Sequence, residues 1–171
     1  VDVFASADEK NMTAVTDAGL ADGPELFATN TLVIAVPLGN PGGVESLADL
    51  GEDSVTVVLC APEVPCGAAS QTLLDNAGVV VTAASLEQNV TAVLTKAEAD
   101  EADAGLVYAT DVQGEDTVES IVPDGAQDVV NRYPIVALAD APNPVAAAAF
   151  ASFVLGAQGQ EILARLGFGA P

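Results

Sequence analysis

The chain has 171 residues, half of them hydrophobic, and carries 25 Asp and Glu against four Lys and Arg. This length suits one domain or two small lobes, and the composition is typical of a globular protein. The net charge of -21 argues against nucleic acid and anionic membrane surfaces as partners, because contacts to phosphate groups need Lys and Arg.

The first third of the chain predicts two strands with a short helix between them. Residues 1–8 resemble part of a strand, and the helical segment after them ends near Gly19. Residues 31–36 are apolar and rich in β-branched side chains, which predicts a strand that Pro37 and a Gly/Pro-rich loop end. A brief helical turn is expected over residues 46–50.

The apolar run from Val55 to Leu59 predicts a strand. A tight loop with Pro62 and Pro65 follows, and then a helix that ends at Gly78. A helix start leaves backbone N–H groups without partners and carries a partial positive charge. The loop before this helix is therefore a candidate anion site.

A short strand over residues 79–85 and an amphipathic helix are predicted next. The apolar residues of this helix recur at helical spacing: they are Val90, Val93, Leu94 and Ala97. Two helix starts fit the sequence. One is a capping box from Ser85 to Gln88, and the other has Asn89 as the N-cap and Val90 as the first helical residue.

The last third predicts strands over residues 105–112, around Ile121 and over residues 132–140. An Ala-rich closing helix follows, weakened by Gly156 and Gly159. Because strands alternate with helices along most of the chain, we predict an α/β fold with a largely parallel sheet.

The strands that contain Pro37 and Pro134 are candidates for paired crossovers between two lobes, since a chain that leaves a lobe must return to it. This interpretation assigns residues 1–36 and 132–171 to the first lobe. It assigns residues 37–131 to the second lobe.

Two cysteines, Cys60 and Cys66, flank the Pro-containing loop. As a disulfide they would staple this loop and indicate an oxidising compartment; as free thiols they would be small core residues. The five-residue gap permits the required Cα separation of about 4.4 to 6.8 Å without ensuring it, so we favour the disulfide slightly. We expect no metal site, because the spacing is not that of a CxxC motif and the chain has no His.

The absence of His also excludes Ser-His and Cys-His nucleophilic pairs, so we expect no enzyme. With so few basic residues, an anion site must use neutral donors. The helix starts at Cys66 and Val90 offer backbone N–H groups. Tyr108, on a strand expected to end at the ligand-binding edge of the sheet, offers a hydroxyl.

Seven segments, in the same order along the chain, resemble the molybdate-binding proteins of ABC importers. They are FASADEKNM, FATNTLVIAVP, EVPCGAAS, EQNVTAVL, ADAGLVYATDV, YPIVAL and GQEILARLGF. The VP-x-G loop and the AGLVY-x-TD strand are the most specific. The resemblance implies a two-lobe α/β fold of the periplasmic-binding-protein type.

The same resemblance implies a ligand and its donors. Molybdate or tungstate would be held by the backbone amides of Cys66 and Val90 and by the hydroxyl of Tyr108, without a cofactor. A free amide at Val90 would favour Asn89 as the helix cap. The implied partners are an ABC permease and its ATPase, and we expect an extracytoplasmic monomer whose lipid anchor would lie on the N-terminal segment that is missing here.

Relatives carry an N-terminal segment before the FASAD motif, with two serine-bearing turns that complete the oxyanion shell. The motif starts here at Phe4, so the resemblance predicts one complete lobe and one partial lobe. The alternative function is an extracellular interaction domain with the same fold but no oxyanion ligand in this truncated form.

Overall fold

A computed structural model describes residues Val1 to Pro171 and contains eight strands, five α-helices and two short 3-10 helices. The strands are β1 (Val3–Ala5), β2 (Glu25–Asn30), β3 (Leu32–Pro37), β4 (Val57–Cys60), β5 (Ser85–Glu87), β6 (Ala104–Tyr108), β7 (Val118–Ile121) and β8 (Asn131–Ala137). The α-helices are α1 (Glu9–Asp17), α2 (Pro65–Ala77), α3 (Val90–Glu98), α4 (Pro144–Leu155) and α5 (Ala157–Arg165). The 3-10 helices are Ala48–Gly51 and Ala126–Asp128. None of the helices combines the length and the apolar character needed to cross a membrane.

The chain forms two compact units. Unit 1 comprises Val1–Asn30 and Asn131–Pro171, and unit 2 comprises Thr31–Val130. The first boundary therefore lies before the strand that contains Pro37, whereas the sequence interpretation places it at the end of that strand. The reason is that β3 pairs with β6 and β7, so it belongs to the sheet of unit 2.

Unit 1 is built on a three-stranded antiparallel sheet in the order β1-β8-β2, together with α1, α4 and α5. Its central strand β8 pairs with β1 on one side and with β2 on the other. A small cluster of Met12, Ala21 and Val136 is buried. The Tyr133 ring lies edge-on to two Phe rings, with centroids 6.1 Å from Phe27 and 5.7 Å from Phe168.

Unit 2 has a five-stranded sheet in the order β5-β4-β6-β3-β7. All six residues of β3 and all five of β6 are buried, as expected for strands in the middle of a sheet that is covered on both faces. The buried faces of α2 and α3 pack onto it through residues such as Leu73 and Val93. This core fixes the strands that lead to the candidate site.

The α/β class is confirmed, but the prediction of a largely parallel sheet is wrong. Only the β4–β5 and β4–β6 pairs are parallel, whereas β3 runs antiparallel to β6 and β7 and the sheet of unit 1 is wholly antiparallel. Strand direction depends on pairing between distant segments, which the local alternation of helices and strands does not specify.

The strand predicted over residues 79–85 is also wrong, because β5 begins only at Ser85. Ser85 lies opposite Val58, and the Ala84 N–H still donates to the Val57 carbonyl at 2.8 Å, so only residues before Ala84 would have to pair with the chain before β4. That chain forms turns rather than a strand. Val80, which would have been in the strand, is 85% exposed.

The single closing helix is in fact two helices. Gly156 adopts an extended conformation, with φ -78° and ψ 167°, and separates α4 from α5. Glycine is among the least favourable residues inside a helix, which explains why the helix is interrupted at this position. The sequence predicts no strand over residues 25–30, yet β2 lies there and pairs with β8 along its length.

Candidate functional site

Three neighbouring strands of unit 2 end at the same edge of its sheet. β4 lies between β5 and β6 and pairs in parallel with both, with Cys60 opposite Glu87 and Val58 opposite Gly105. Neighbouring strands of a sheet lie about 4.8 Å apart, so the three carboxyl ends are close together. Ligands of open α/β sheets bind beyond such ends, which makes this edge the candidate site.

The central strand, β4, leads through a short loop into α2. Pro65 is the first residue of the helix, where its fixed φ is favourable and its missing N–H costs nothing. Cys66 is the second residue, so its N–H group points out of the helix start and has no acceptor within the helix. No side chain caps this start, since Val64 occupies the N-cap position.

The predicted disulfide is confirmed. Cys60 at the end of β4 is bonded to Cys66 in the first turn of α2, with their Cα atoms 5.8 Å apart. Both cysteines are buried. The bond therefore ties the first turn of the helix directly to the strand end that precedes it.

Gly67 brings the same helix start close to the loop. A Cβ atom placed on Gly67 would lie 1.9 Å from the carbonyl oxygen of Ala61 and 2.8 Å from that of Cys60. Only a residue without a side chain fits here, because the atoms in the way are backbone. The glycine of the VP-x-G loop is thus required by close packing rather than by an unusual φ.

The outer strand, β5, leads into α3. Asn89 is extended at φ -160° and ψ 161°, and its side-chain oxygen accepts a hydrogen bond of 2.9 Å from the Ala92 N–H. Asn89 is therefore the N-cap, which decides between the two helix starts that the sequence left open. Ser85 cannot cap the helix because it begins β5. Val90 becomes the first helical residue, and its N–H has no acceptor within the helix.

The third strand, β6, ends at Tyr108, which is only 6% exposed. The strand is shorter than the predicted 105–112 because the chain turns here, with the Asp111 N–H donating to the Tyr108 carbonyl at 2.9 Å. The Tyr108 N–H in turn donates to the Asp111 carboxylate at 2.9 Å. Burial raises the pKa of Asp111, and the hydrogen bond from Tyr108 opposes this shift only in part.

No free cationic side chain provides positive charge at this edge of the sheet. Lys96, the single basic residue of unit 2, forms a 2.7 Å ion pair with Glu87. Hydrogen bonds from Lys96 and Ser85 hold the pKa of Glu87 below its ordinary value. The groups that remain for an anion are neutral donors at two helix starts and a strand end.

The structure thus brings Cys66, Val90 and Tyr108 to one edge of one sheet. Sequence reasoning missed two residues that shape this edge, Glu87 and Asp111, and it gave Gly67 a place in the loop without its packing role. Asp111 lies in the AGLVY-x-TD motif and could have been noticed there. Glu87 could have been found only through its partner Lys96, which the charge count singles out.

Comparison with known proteins identifies the family. The model of the family described as bacterial extracellular solute-binding protein matches residues 1–169. The chain belongs to this family. The description of the family implies a location outside the cytoplasm. The expected two-lobe periplasmic-binding-protein fold is confirmed.

Curated relatives include proteins named molybdate-binding protein ModA from Mycobacterium tuberculosis and Mycobacterium bovis. Each is 43% identical over 173 aligned residues, which cover 99% of this solute-binding protein and 66% of the relative. The chain thus spans slightly less than two thirds of the length of these relatives.

Solved structures share the fold. The Azotobacter vinelandii periplasmic molybdate-binding protein matches with a TM-score of 0.81 and 20% identity, covering 99% of this chain and 78% of that one. A substrate-binding domain of a molybdenum ABC transporter from Clostridium difficile matches with a TM-score of 0.74 and 24% identity, covering 99% of this chain and 77% of that one. The sulfate-binding protein SubI from Mycobacterium tuberculosis matches with a TM-score of 0.75 and 18% identity, covering 98% of this chain and 68% of that one.

Proposed function

We propose that this solute-binding protein captures molybdate and delivers it to an ABC importer. The observation that carries the proposal is the common edge of β5, β4 and β6, where the Cys66 and Val90 amides and the Tyr108 hydroxyl are candidate donors. The relatives that share 43% of its residues are named as molybdate-binding proteins. Together these support a tetrahedral oxyanion as the ligand.

The chemistry of such a site favours fully ionised oxyanions. Amide N–H and hydroxyl groups donate hydrogen bonds, so each ligand oxygen must be able to accept one. Hydrogen phosphate brings an O–H group of its own, and a donor that faces only donors costs about 1 to 3 kcal/mol. Molybdate, tungstate and sulfate carry no proton at neutral pH and avoid this cost.

The proposal extends to tungstate as an alternative ligand and to a membrane permease with its ATPase as the partners. We also propose a monomer that is held at the membrane surface by a lipid anchor. Delivery requires release of the ligand, and hydrogen bonds to neutral donors can be exchanged one at a time for water. No cofactor takes part in this scheme.

A thermal-shift titration with molybdate, tungstate, sulfate and phosphate tests the ligand class. A ligand at one hundred times its Kd stabilises the folded state by about 2.7 kcal/mol, which raises the Tm of a chain of this size by about 5 to 10 °C. We expect this shift with molybdate and tungstate and none with phosphate. No shift with any of the four at millimolar concentration would contradict the proposal.

Tyr108→Phe tests the side-chain donor. The variant keeps the ring and loses the hydroxyl, and a hydrogen bond to a charged group contributes about 1.5 to 3 kcal/mol. The molybdate Kd, measured by titration calorimetry, should rise by about 10- to 150-fold. Tyr133→Phe, which removes the other tyrosine hydroxyl of the chain, should leave the Kd unchanged.

A further inference from the structure

Three polar side chains form a cluster between β5 and α3. The Lys96 Nζ atom lies 2.7 Å from the Glu87 carboxylate and 2.9 Å from the Ser85 hydroxyl. The Ser85 hydroxyl also donates to Glu87 at 2.8 Å. Ser85 and Glu87 are the first and last residues of β5, and Lys96 lies in the last turn of α3. The cluster therefore fixes the far end of α3 to the strand that precedes it.

Glu87 also contacts the other helix start, through its backbone. Its carbonyl oxygen accepts a 2.8 Å hydrogen bond from the N–H of Ala61, the first residue of the loop that leads to Cys66. Its Cα lies opposite Cys60 in the pairing of β4 and β5. One residue thus contacts both segments that present the candidate amide donors, by its main chain on one side and its side chain on the other.

We propose that the Ser85–Glu87–Lys96 cluster positions the Val90 amide relative to the Cys66 amide and so sets the affinity for the oxyanion. The inference rests on the function proposed above. A hydrogen bond has a narrow range of distance and angle, so two donors bind one small anion well only if their separation is fixed. The cluster provides that constraint on the α3 side.

Direct contact between Lys96 and the ligand does not explain the arrangement. Lys96 lies six residues after Val90 in α3, which is about 9 Å along the helix axis at a rise of about 1.5 Å per residue. Its ammonium group already faces the Glu87 carboxylate. Lys96 is therefore a positioning residue, which acts through the helix that it holds.

Lys96→Met tests this role, because Met keeps most of the length of the stem and removes the charge. We expect the molybdate Kd to rise about three- to tenfold, in the range of coupling between interacting residues. The matched control is Lys10→Met, which removes the same charge from α1 of unit 1 and should leave the Kd unchanged. Equal Kd values for the two variants would overturn the inference.

A double-mutant cycle with Val90→Pro separates positioning from a general loss of stability. Proline is tolerated at the first position of a helix and lacks only the N–H group that Val90 would donate. If Lys96 acts through that amide, Lys96→Met should change the Kd less than about twofold in the Val90→Pro background. The same fold-change in both backgrounds would overturn the inference.

Glu87→Gln provides a second variant that alters the cluster more gently, and hydrogen exchange over residues 85–98 follows its effect. Faster exchange at the start of α3, together with weaker binding, is expected; unchanged exchange and unchanged Kd would overturn the inference.

The wild-type titration distinguishes the two proposals. No binding by the wild type would overturn the proposed function, whereas wild-type binding that Lys96→Met and Glu87→Gln leave unaltered would overturn only the positioning role.

Discussion

The two helix starts at the candidate site offer the same chemical group and are held by different interactions. The start of α2 has no side-chain cap, and it is fixed by the Cys60–Cys66 disulfide and by the close approach of Gly67 to Ala61. The start of α3 has an Asn89 cap, and the last turn of this helix is tied to β5 by the Lys96–Glu87 ion pair. One start is held by a covalent bond and close packing, and the other by polar contacts.

Because they are held differently, the two helix starts should respond differently to pH, salt and reductant. A covalent bond and a backbone contact do not respond to pH or salt, but the bond can be reduced. The Glu87–Lys96 ion pair is partly exposed, so it weakens with salt and with protonation of its carboxylate. We therefore expect reductant to affect the Cys66 amide and acid to affect the Val90 amide.

Gly67→Ala should have the largest effect on stability. The added methyl group would overlap the Ala61 carbonyl, and overpacking costs about 1 to 3 kcal/mol, with the upper end expected where the overlapped atoms are backbone. Gly78→Ala is the control. Gly78 has a φ of 68° but no atom within 4 Å of the added carbon, so it should cost only the left-handed backbone penalty of about 1 to 2 kcal/mol. Denaturant unfolding compares the two, and equal losses would contradict the close-packing argument.

Removal of the disulfide should come second. The Cys60→Ala/Cys66→Ala double variant keeps the Cys66 amide but loses the constraint on the unfolded chain, which for so short a loop is about 2 kcal/mol. Unfolding of the wild type in the presence of reductant should show the same loss. The double variant itself should not respond to reductant, and a response from it would show that the reagent acts elsewhere.

Asn89→Ala should lower the free energy of unfolding by about 1 kcal/mol, because one N–H of the first turn of α3 loses its acceptor. It should also weaken molybdate binding by freeing the Val90 segment. Asp8→Ala is a matched control, since Asp8 caps α1 by accepting from the Asn11 N–H at 2.7 Å. A similar loss of stability with unchanged affinity is expected there; weakened binding in both variants would indicate a global effect.

The pH dependence of the Glu87 cluster should be the smallest effect. The pKa of the Glu87 carboxyl is lower in the folded chain than its ordinary value of 4.5. Its contribution to the free energy of unfolding is therefore fully present above pH 4.5 and is lost as the pH falls through the folded pKa. The stability difference between the wild type and Glu87→Gln should therefore shrink from neutral to acid pH. A difference that grows on acidification would contradict the assigned sign.

Features fixed by neighbouring residues could be predicted from the sequence. The stop of α2 at Gly78 was predicted because a glycine at a helix end has a direct local cause, and it has a left-handed φ of 68°. The cap at Asn89 was one of two local candidates, and the disulfide was favoured because its two cysteines flank one loop.

Features that depend on distant segments could not be predicted from the sequence. β3 looks like any buried strand, and only its pairing with β6 and β7 makes it antiparallel and assigns it to unit 2. Residues 79–83 have the composition of a strand but no partner strand opposite them. The Gly67 contact and the Glu87–Lys96 pair likewise appear only when the loop and helices are packed on the sheet.

The most direct test of the central claim is the affinity of Val90→Pro for molybdate, compared with Val90→Ala. Asn89 already has the extended conformation that a following proline requires, so the two variants should have similar stability. They differ in the N–H group, which contributes about 1.5 to 3 kcal/mol if it binds a charged ligand. The account predicts that calorimetry will find Val90→Pro about 10- to 150-fold weaker. Equal affinities would show that this helix start does not donate to the ligand.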